Sequence, residues 1–458
     1  MKKITKIAGV ILSLLIILSC ISVSFASAAG EGFTFNTSLG YAILTSCQTT
    51  AMGKVEIPST YDGKAVQEIG SGAFANCGNI TEIVVPSSVN KVGNGAFESC
   101  LSLTKITFEG SSCKIGKYAF IHCSALKTIV LPSALTEIPD EAFNDCTSLT
   151  SVTIPSTVTL IGKEAFKMCN KLTQINIPAS VKTIRKNAFI GCSSVTAFEV
   201  EAGNTVYSDI DGVLYGPYES SFDPNAYSPV TDKALIQYPN GASATTYSVP
   251  SGVKIISDYA FGENEKLTKI TLPDGLEKID AYAFYMCKNL SDITIPSTVT
   301  TIGSLAFAKC PALKKITVPA SVTNYESAFY DSGLTEATLE NGVKTISTRA
   351  FEKCSSLETV IIPDSVESIS SGAFLNCTSL GEIEIPSSVT SIGTKAFDGC
   401  SSLSIIAEEG SAAYDYAVKN GIEVSEKVAD EEPSFFRKII NAIISFFEMI
   451  IELFASLF

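Results

Sequence analysis

A single histidine, His122, serves the whole chain, tryptophan is missing, and charged residues make up only 17% of it. One histidine leaves no Ser-His-Asp or Cys-His site unless His122 is itself the base, and it excludes any multi-histidine metal centre. Nor are any two cysteines spaced as C-x₂₋₄-C, so the chelating pair of a zinc site is lacking as well. Positive charge is also in deficit. The 33 Lys and Arg face 47 Asp and Glu, a net charge of −14, which argues against a phosphate-neutralising nucleic-acid surface. What the chain does have is apolar residues. At 46% hydrophobic it is too apolar to be disordered. Its 458 residues would ordinarily suggest several domains, but the sequence repeats, and the repeat overrides that expectation.

The two ends differ from the middle. Lys2, Lys3 and Lys6 precede an apolar run, which closes on Ala26-Ser27-Ala28. That order predicts a secretory signal peptide over 1–28, cleaved after Ala28, and hence a secreted or cell-surface protein. Its removal takes three lysines and no acids, so the net charge becomes −17. At the other end an acidic linker, 426–433, leads into an apolar segment, 434–458, whose polar residues Asn441, Ser445, Glu448, Glu452 and Ser456 share one helical stripe. The segment reads as an amphipathic helix with Phe435, Phe436, Ile440, Ile443, Phe447, Ile450, Ile451 and Phe454 on its apolar side. It is suited to a membrane interface, to self-association or to capping its own domain.

Between the ends a unit built on Ala-Phe recurs thirteen times, from Phe74 to Phe397, mostly at intervals of 23 residues. A fixed period of this length is the mark of a solenoid. One unit runs Leu149-Thr150-Ser151-Val152-Thr153-Ile154-Pro155, then Ser156-Thr157-Val158-Thr159-Leu160-Ile161-Gly162, then Lys163-Glu164-Ala165-Phe166-Lys167-Met168-Cys169. The alternating, β-branched first part predicts a strand that the proline ends. A short extended segment follows, and then a helical turn. Leu149, Val152, Ile154, Val158, Ile161, Ala165, Phe166 and Cys169 point inward, and stacking buries what no unit can bury alone. The fold class is therefore α/β and β-rich, a solenoid of about thirteen or more coils.

The motif Leu-x-x-Ile-x-Ile-Pro-x-x-Val-x-x-Ile-Gly-x-x-Ala-Phe-x-x-Cys resembles the BspA-like family of bacterial leucine-rich-repeat surface proteins, over about residues 55–405. The flanks resemble the family too, through Ile57-Pro58-Ser59-Thr60 at the start and Gly410-Ser411-Ala412-Ala413-Tyr414 at the close. The resemblance implies an extracellular or surface protein, some members being adhesins. The organisation that follows is an N-terminal cap with opening strands (29–65), repeats 1–6 (66–192), an insertion (193–250), repeats 7–13 (251–405) and a C-terminal cap (406–425).

Eleven cysteines occupy one repeat slot, and only Cys47 and Cys113 stand elsewhere after residue 28. Identical slots in stacked coils put the side chains in a parallel column, with Cβ vectors not turned toward each other as a disulfide needs. Reduced, buried thiols are therefore expected. In the insertion, Asp211-Gly212 and Asn240-Gly241 are both hairpin dipeptides. Five of its tyrosines, Tyr207, Tyr215, Tyr218, Tyr227 and Tyr238, are a candidate contact patch. Gly70-Ser71-Gly72-Ala73-Phe74-Ala75 mimics a dinucleotide fingerprint, but it lies inside the repeat and lacks the strand–helix context and downstream acid.

The outward columns of the strands are the broad candidate surface for protein binding. They comprise Glu82, Val84, Lys105, Thr107, Thr128, Val130, Gln174, Asn176, Lys269, Thr271, Asp292, Thr294, Lys315, Thr317, Glu382 and Glu384. The functional expectation is a non-enzymatic exported protein that binds an extracellular protein or a host or cell-surface ligand. The alternative is a structural envelope or matrix component acting through 434–458. No catalytic residue, metal or cofactor is expected, and no nucleic-acid partner.

Overall fold

The computed structural model describes residues 32–217 and 233–426. The expected signal peptide, the linker beyond Glu426, the amphipathic segment with its Phe435, Phe436, Ile440, Ile443, Phe447, Ile450, Ile451 and Phe454, and Tyr218 and Tyr227 all lie outside the described residues. The chain divides into two compact units, residues 1–313 and 314–458. Each is built from stacked coils.

In the first unit, strands stack in parallel at an offset of one repeat. Lys105–Phe108 pairs with Thr128–Val130, which pairs with Ser151–Thr153. A second, shorter ladder runs through Glu137–Ile138, Leu160–Ile161 and Thr183–Ile184. The residues expected inside are inside: Leu149, Val158, Ile161, Ala165, Phe166 and Cys169 are all fully buried, and Val152 is half-buried. Their phenylalanines stack ring on ring, with centroids 5.2 to 5.8 Å apart from Phe74 through Phe189. Edge-on rings close the column, Phe33 against Phe74 and Phe198 against Phe189.

The helical turn expected around each Ala-Phe takes the form of overlapping tight turns. In the Phe143 unit, Ala142, Asn144 and Cys146 donate to carbonyls three residues back, whereas Glu141, Phe143 and Asp145 donate to Lys163, Ala165 and Lys167 of the next coil. This alternation needs two left-handed residues per unit, here Glu141 (φ 54°) and Asp145 (φ 61°). All thirteen units show the pair, two residues before and two after the phenylalanine, and most fill it without glycine. A non-glycine residue pays about 1–2 kcal/mol for that conformation. Exposed Lys395 (φ 57°) is one such position. Lys395→Gly is expected to raise stability by about 0.5–1 kcal/mol, read as a higher urea midpoint; an unchanged or lower midpoint would contradict the strain account.

The glycine after the second ladder has a different reason. A Cβ on Gly162 would lie 2.4 Å from the backbone nitrogen of Asp140, so the coils are in backbone contact there. Arg185, Ser257 and Asp280 stand at this position in the coils flanking the insertion.

Much of the expected insertion, 193–250, is itself solenoid. Ala197–Val200 pairs with Gln174–Ile177 in the repeat register. Tyr238 donates its amide to Ala260 and stacks on Phe261 at 5.3 Å, so it occupies a phenylalanine slot. The hairpin Ser208–Ile210 with Val213–Pro217 turns at Asp211-Gly212, both with positive φ, as a two-residue turn requires. Asn240-Gly241 is not a hairpin turn. Lys233–Gln237 before it pairs with Ile255–Ile256, and Thr246–Ser248 after it pairs with Lys269–Thr271. Gly241 is pressed against Ser194, whose carbonyl a Cβ would meet at 2.3 Å.

In the second unit, Lys315–Val318 pairs with Glu336–Leu339, which pairs with Thr359–Ile361. The first of these coils is short because buried Tyr325 replaces the Ile-Gly pair and Ser332-Gly333-Leu334 shortens Cys-x-x-Leu. Phe329, Phe351, Phe374 and Phe397 stack, and Tyr416 closes the column edge-on at 5.9 Å. Tyr416 belongs to the helix Ala412–Asn420, capped by the Ser411 hydroxyl and by left-handed Gly421.

Candidate binding surface

Alternation along each strand decides which side chains are available. In Thr128–Val130, Ile129 is buried while Thr128 and Val130 are exposed. The same pattern exposes Lys105, Gln174, Asn176, Lys269, Thr271, Asp292, Thr294, Lys315, Thr317, Glu382 and Glu384. Glu82, Val84 and Thr107 are half-buried. All sixteen candidate strand residues therefore lie on the outer side of the coils of their own unit. The coil spacing also pairs their charges with neighbouring coils: Lys105 with Glu82 at 3.0 Å, Lys269 with Asp292 at 2.8 Å, and Lys315 with Glu336 at 2.6 Å. Thr246 and Ser248 belong to the same columns, opposite Lys269 and Thr271. The signal for them was Tyr247-Ser248-Val249-Pro250, a disguised strand-and-proline motif with tyrosine in an inward slot.

Among the described residues, the insertion tyrosines do not form an exposed patch. Tyr207, Tyr215 and Tyr238 are buried in the core. The Tyr207 hydroxyl accepts from the Ile184 amide at 2.7 Å, and the Tyr215 and Tyr247 hydroxyls bond each other. A phenol buried with its oxygen paired behaves as a large core side chain, and this sequence has used it as one.

The cysteine column has a backbone role. Cys146 Sγ donates to the Phe120 carbonyl at 3.2 Å and Cys169 Sγ to the Phe143 carbonyl at 3.2 Å, and the pattern continues along the column. Where asparagine stands instead, Asn264 Oδ1 accepts the Lys266 and Leu267 amides and its Nδ2 donates to Asn240. Burial pushes the Cys192 and Cys310 thiols up to about 12, so thiolate is scarce at neutral pH. Native protein at pH 8 is expected to react with a disulfide dye only on the timescale of unfolding, with half-buried Cys400 first. A fast burst of several thiols would disprove this shielding. His122 is exposed, in a left-handed position, with Nδ1 3.0 Å from Asp145.

One polar cluster was not foreseen. Between the coil of Phe189 and that of Phe261 lies a cavity of about 40 Å³ lined by Lys186, Asn187, Gln237, Ser257, Asp258 and Asp280, among others. Lys186 spans it to ion-pair with Asp258. The residues come from variable repeat positions as much as 94 residues apart, so no local motif announces them. Among the described residues no three His, Cys, Asp or Glu side chains are grouped to hold a metal ion, and no helix is long and apolar enough to cross a membrane.

A family model, the BspA type leucine rich repeat region (6 copies), matches residues 64–200, 238–328 and 325–414. No curated protein matches the chain. Among solved structures it is similar to a leucine rich cell surface protein from Faecalibacterium prausnitzii A2-165, at 28% identity and TM-score 0.56, over 87% of this chain and 98% of that one. It is also similar to a leucine-rich repeat protein from Eubacterium ventriosum ATCC 27560, at 25% identity and TM-score 0.56, over 81% and 93%. The pneumococcal vaccine antigen PcpA shares the fold, at 22% identity and TM-score 0.62, over 88% and 98%.

Proposed function

This chain belongs to the BspA-type leucine-rich-repeat family, and from that premise we propose that it is a non-enzymatic, exported or surface-associated protein that binds other proteins through its strand face. The observation that carries the reading is the set of exposed columns on three parallel ladders of the first unit: Thr128 and Val130 on one, Gln174 and Asn176 on the next, and Lys269, Thr271, Asp292 and the adjoining Thr294 on the third. Such a surface is broad and pre-ordered, so a partner pays little entropy to organise it. Its lysines are already paired between coils. Exposed pairs of this kind contribute only about 0–1 kcal/mol, so a partner's charges can replace them at small cost. Recognition then rests on shape and on threonine and amide hydrogen bonds more than on long-range charge. Surface location is supported by the 1–28 segment's pattern and by the cell-surface description of the Faecalibacterium relative.

The test is capture of extracellular proteins on the immobilised full chain, compared with a Thr128→Lys/Val130→Asp/Asn176→Lys variant. The variant changes only exposed side chains, so it should fold as the parent does. Loss of captured proteins from the variant supports the reading. An identical captured set on both would move the binding surface elsewhere.

A further inference from the structure

The cavity beside the insertion presents an unusual set of atoms. Asn187 Oδ1, Ser257 Oγ and Asp258 Oδ1 are all buried without a hydrogen-bond partner, and all three residues line it. Ser257 is 8% exposed and Asp258 9%. Asp258 has its other oxygen on Lys186. The nearby Ala281 amide donates to Asp280 at 3.1 Å and also supports the Asp258 carboxylate. A buried polar atom left unpaired costs about 1–3 kcal/mol, so three in one place call for an occupant that donates hydrogen bonds.

Charge narrows the class. Lys186 faces Asp258, Lys278 lies 3.4 Å from Asp280, and Arg185 is held by Asp140 at 3.1 Å. These pairs balance. A divalent cation or an ammonium group would add uncompensated positive charge beside two lysines, and an anion would be repelled by the Asp258 and Asp280 carboxylates. A neutral group with several O–H donors matches, since a hydroxyl oxygen can also accept from a lysine. Size agrees with this. A water needs about 10–15 Å³, so about 40 Å³ holds roughly three oxygens, the hydroxyl edge of a larger molecule but not the whole of it.

We propose that this cavity binds adjacent hydroxyl groups of a sugar or polyol, with Asn187, Ser257 and Asp258 as acceptors and Lys186 as positioning cation. The site is independent of the strand face, so its success or failure leaves the protein-binding reading untouched.

The experiment is ligand-observed saturation-transfer NMR and calorimetry on the full chain. The probes are the methyl glycosides of glucose, mannose, galactose and xylose, with glycerol and inositol as the polyol arm. The expected result is binding of at least one probe. It should weaken about 5-fold in Ser257→Ala and likewise in Asn187→Gly, the worth of one hydrogen bond of about 1 kcal/mol. Neither variant threatens the fold. The first deletes an unpaired oxygen, and the second suits the left-handed backbone of Asn187 (φ 60°). Binding by glycosides alone or by polyols alone assigns the source. If no probe binds, or if both variants bind as the parent does, the cavity holds only ordered water and the proposal is overturned.

Discussion

Phe143→Ala is expected to lower the stability of the first unit by about 3–5 kcal/mol, the ordinary cost of deleting a buried ring. Phe143 is fully buried and stacked between Phe120 at 5.3 Å and Phe166 at 5.4 Å. Its amide donates to Ala165 at 2.8 Å, and its carbonyl receives the Cys146 amide and the Cys169 thiol. Alanine keeps those backbone bonds but leaves a hole with rings on both sides, which cannot collapse without shifting the ladder. Because each coil touches only its neighbours, the damage should show as a break in cooperativity. Hydrogen exchange should quicken first in the coils of Phe120, Phe143 and Phe166, ahead of those nearer Phe74. Phe143→Leu should cost well under half as much. Tyrosine fluorescence can follow unfolding without a competing signal, since the chain has 16 tyrosines and no tryptophan. A loss below about 1 kcal/mol for Phe143→Ala would mean that the stacked column is not what couples the coils.

That column was legible in the sequence because it repeats. Ala-Phe-x-x-Cys at a constant interval gives the coil, the inward residues, the shared cysteine slot and the outward strand columns together. What was not legible lies where the repeat changes its vocabulary. Tyr238 stands in a phenylalanine slot, and Tyr207 and Tyr215 are buried with it, so tyrosines that read as an exposed patch are core residues. Asn240-Gly241 has a hairpin's residues but serves close packing against Ser194. The left-handed pairs around each phenylalanine are invisible for another reason. Glutamate, aspartate, lysine and tyrosine fill them, and none of these advertises positive φ as glycine does. The cavity cluster needs the fold before it exists, because only stacking brings Lys186 and Asp258 together across 72 residues of chain.

That last pair gives the second large effect. Lys186→Met is expected to destabilise the first unit by about 3 kcal/mol at pH 8, because it leaves Asp258 charged, buried and without its counter-ion. Asp140 shows what the regular ladder provides instead: Lys117 at 2.8 Å, the Lys163 amide at 2.9 Å and Arg185 at 3.1 Å. Burial pushes against its charge, yet these partners hold its carboxyl below the ordinary value. Asp258 goes the other way. Burial raises it above 3.8, and the Lys186 hydrogen bond only partly opposes this. The sign of the pH dependence follows. A carboxyl whose folded pKa is raised binds its proton more tightly in the native state, so that group's contribution to stability falls as pH rises from about 3.8 through the folded pKa. Without Lys186 the folded pKa moves further up and the window widens. The penalty of Lys186→Met should therefore shrink steadily between pH 8 and pH 5, as Asp258 takes up its proton. Lys186→Met/Asp258→Asn should recover most of the loss at pH 8, because the buried charge is gone. Urea midpoints of the parent and both variants across that range decide the matter. A penalty that stays constant with pH, or a double variant no better than the single, would show that Lys186 stabilises by packing its methylene stem over the cavity rather than by neutralising Asp258.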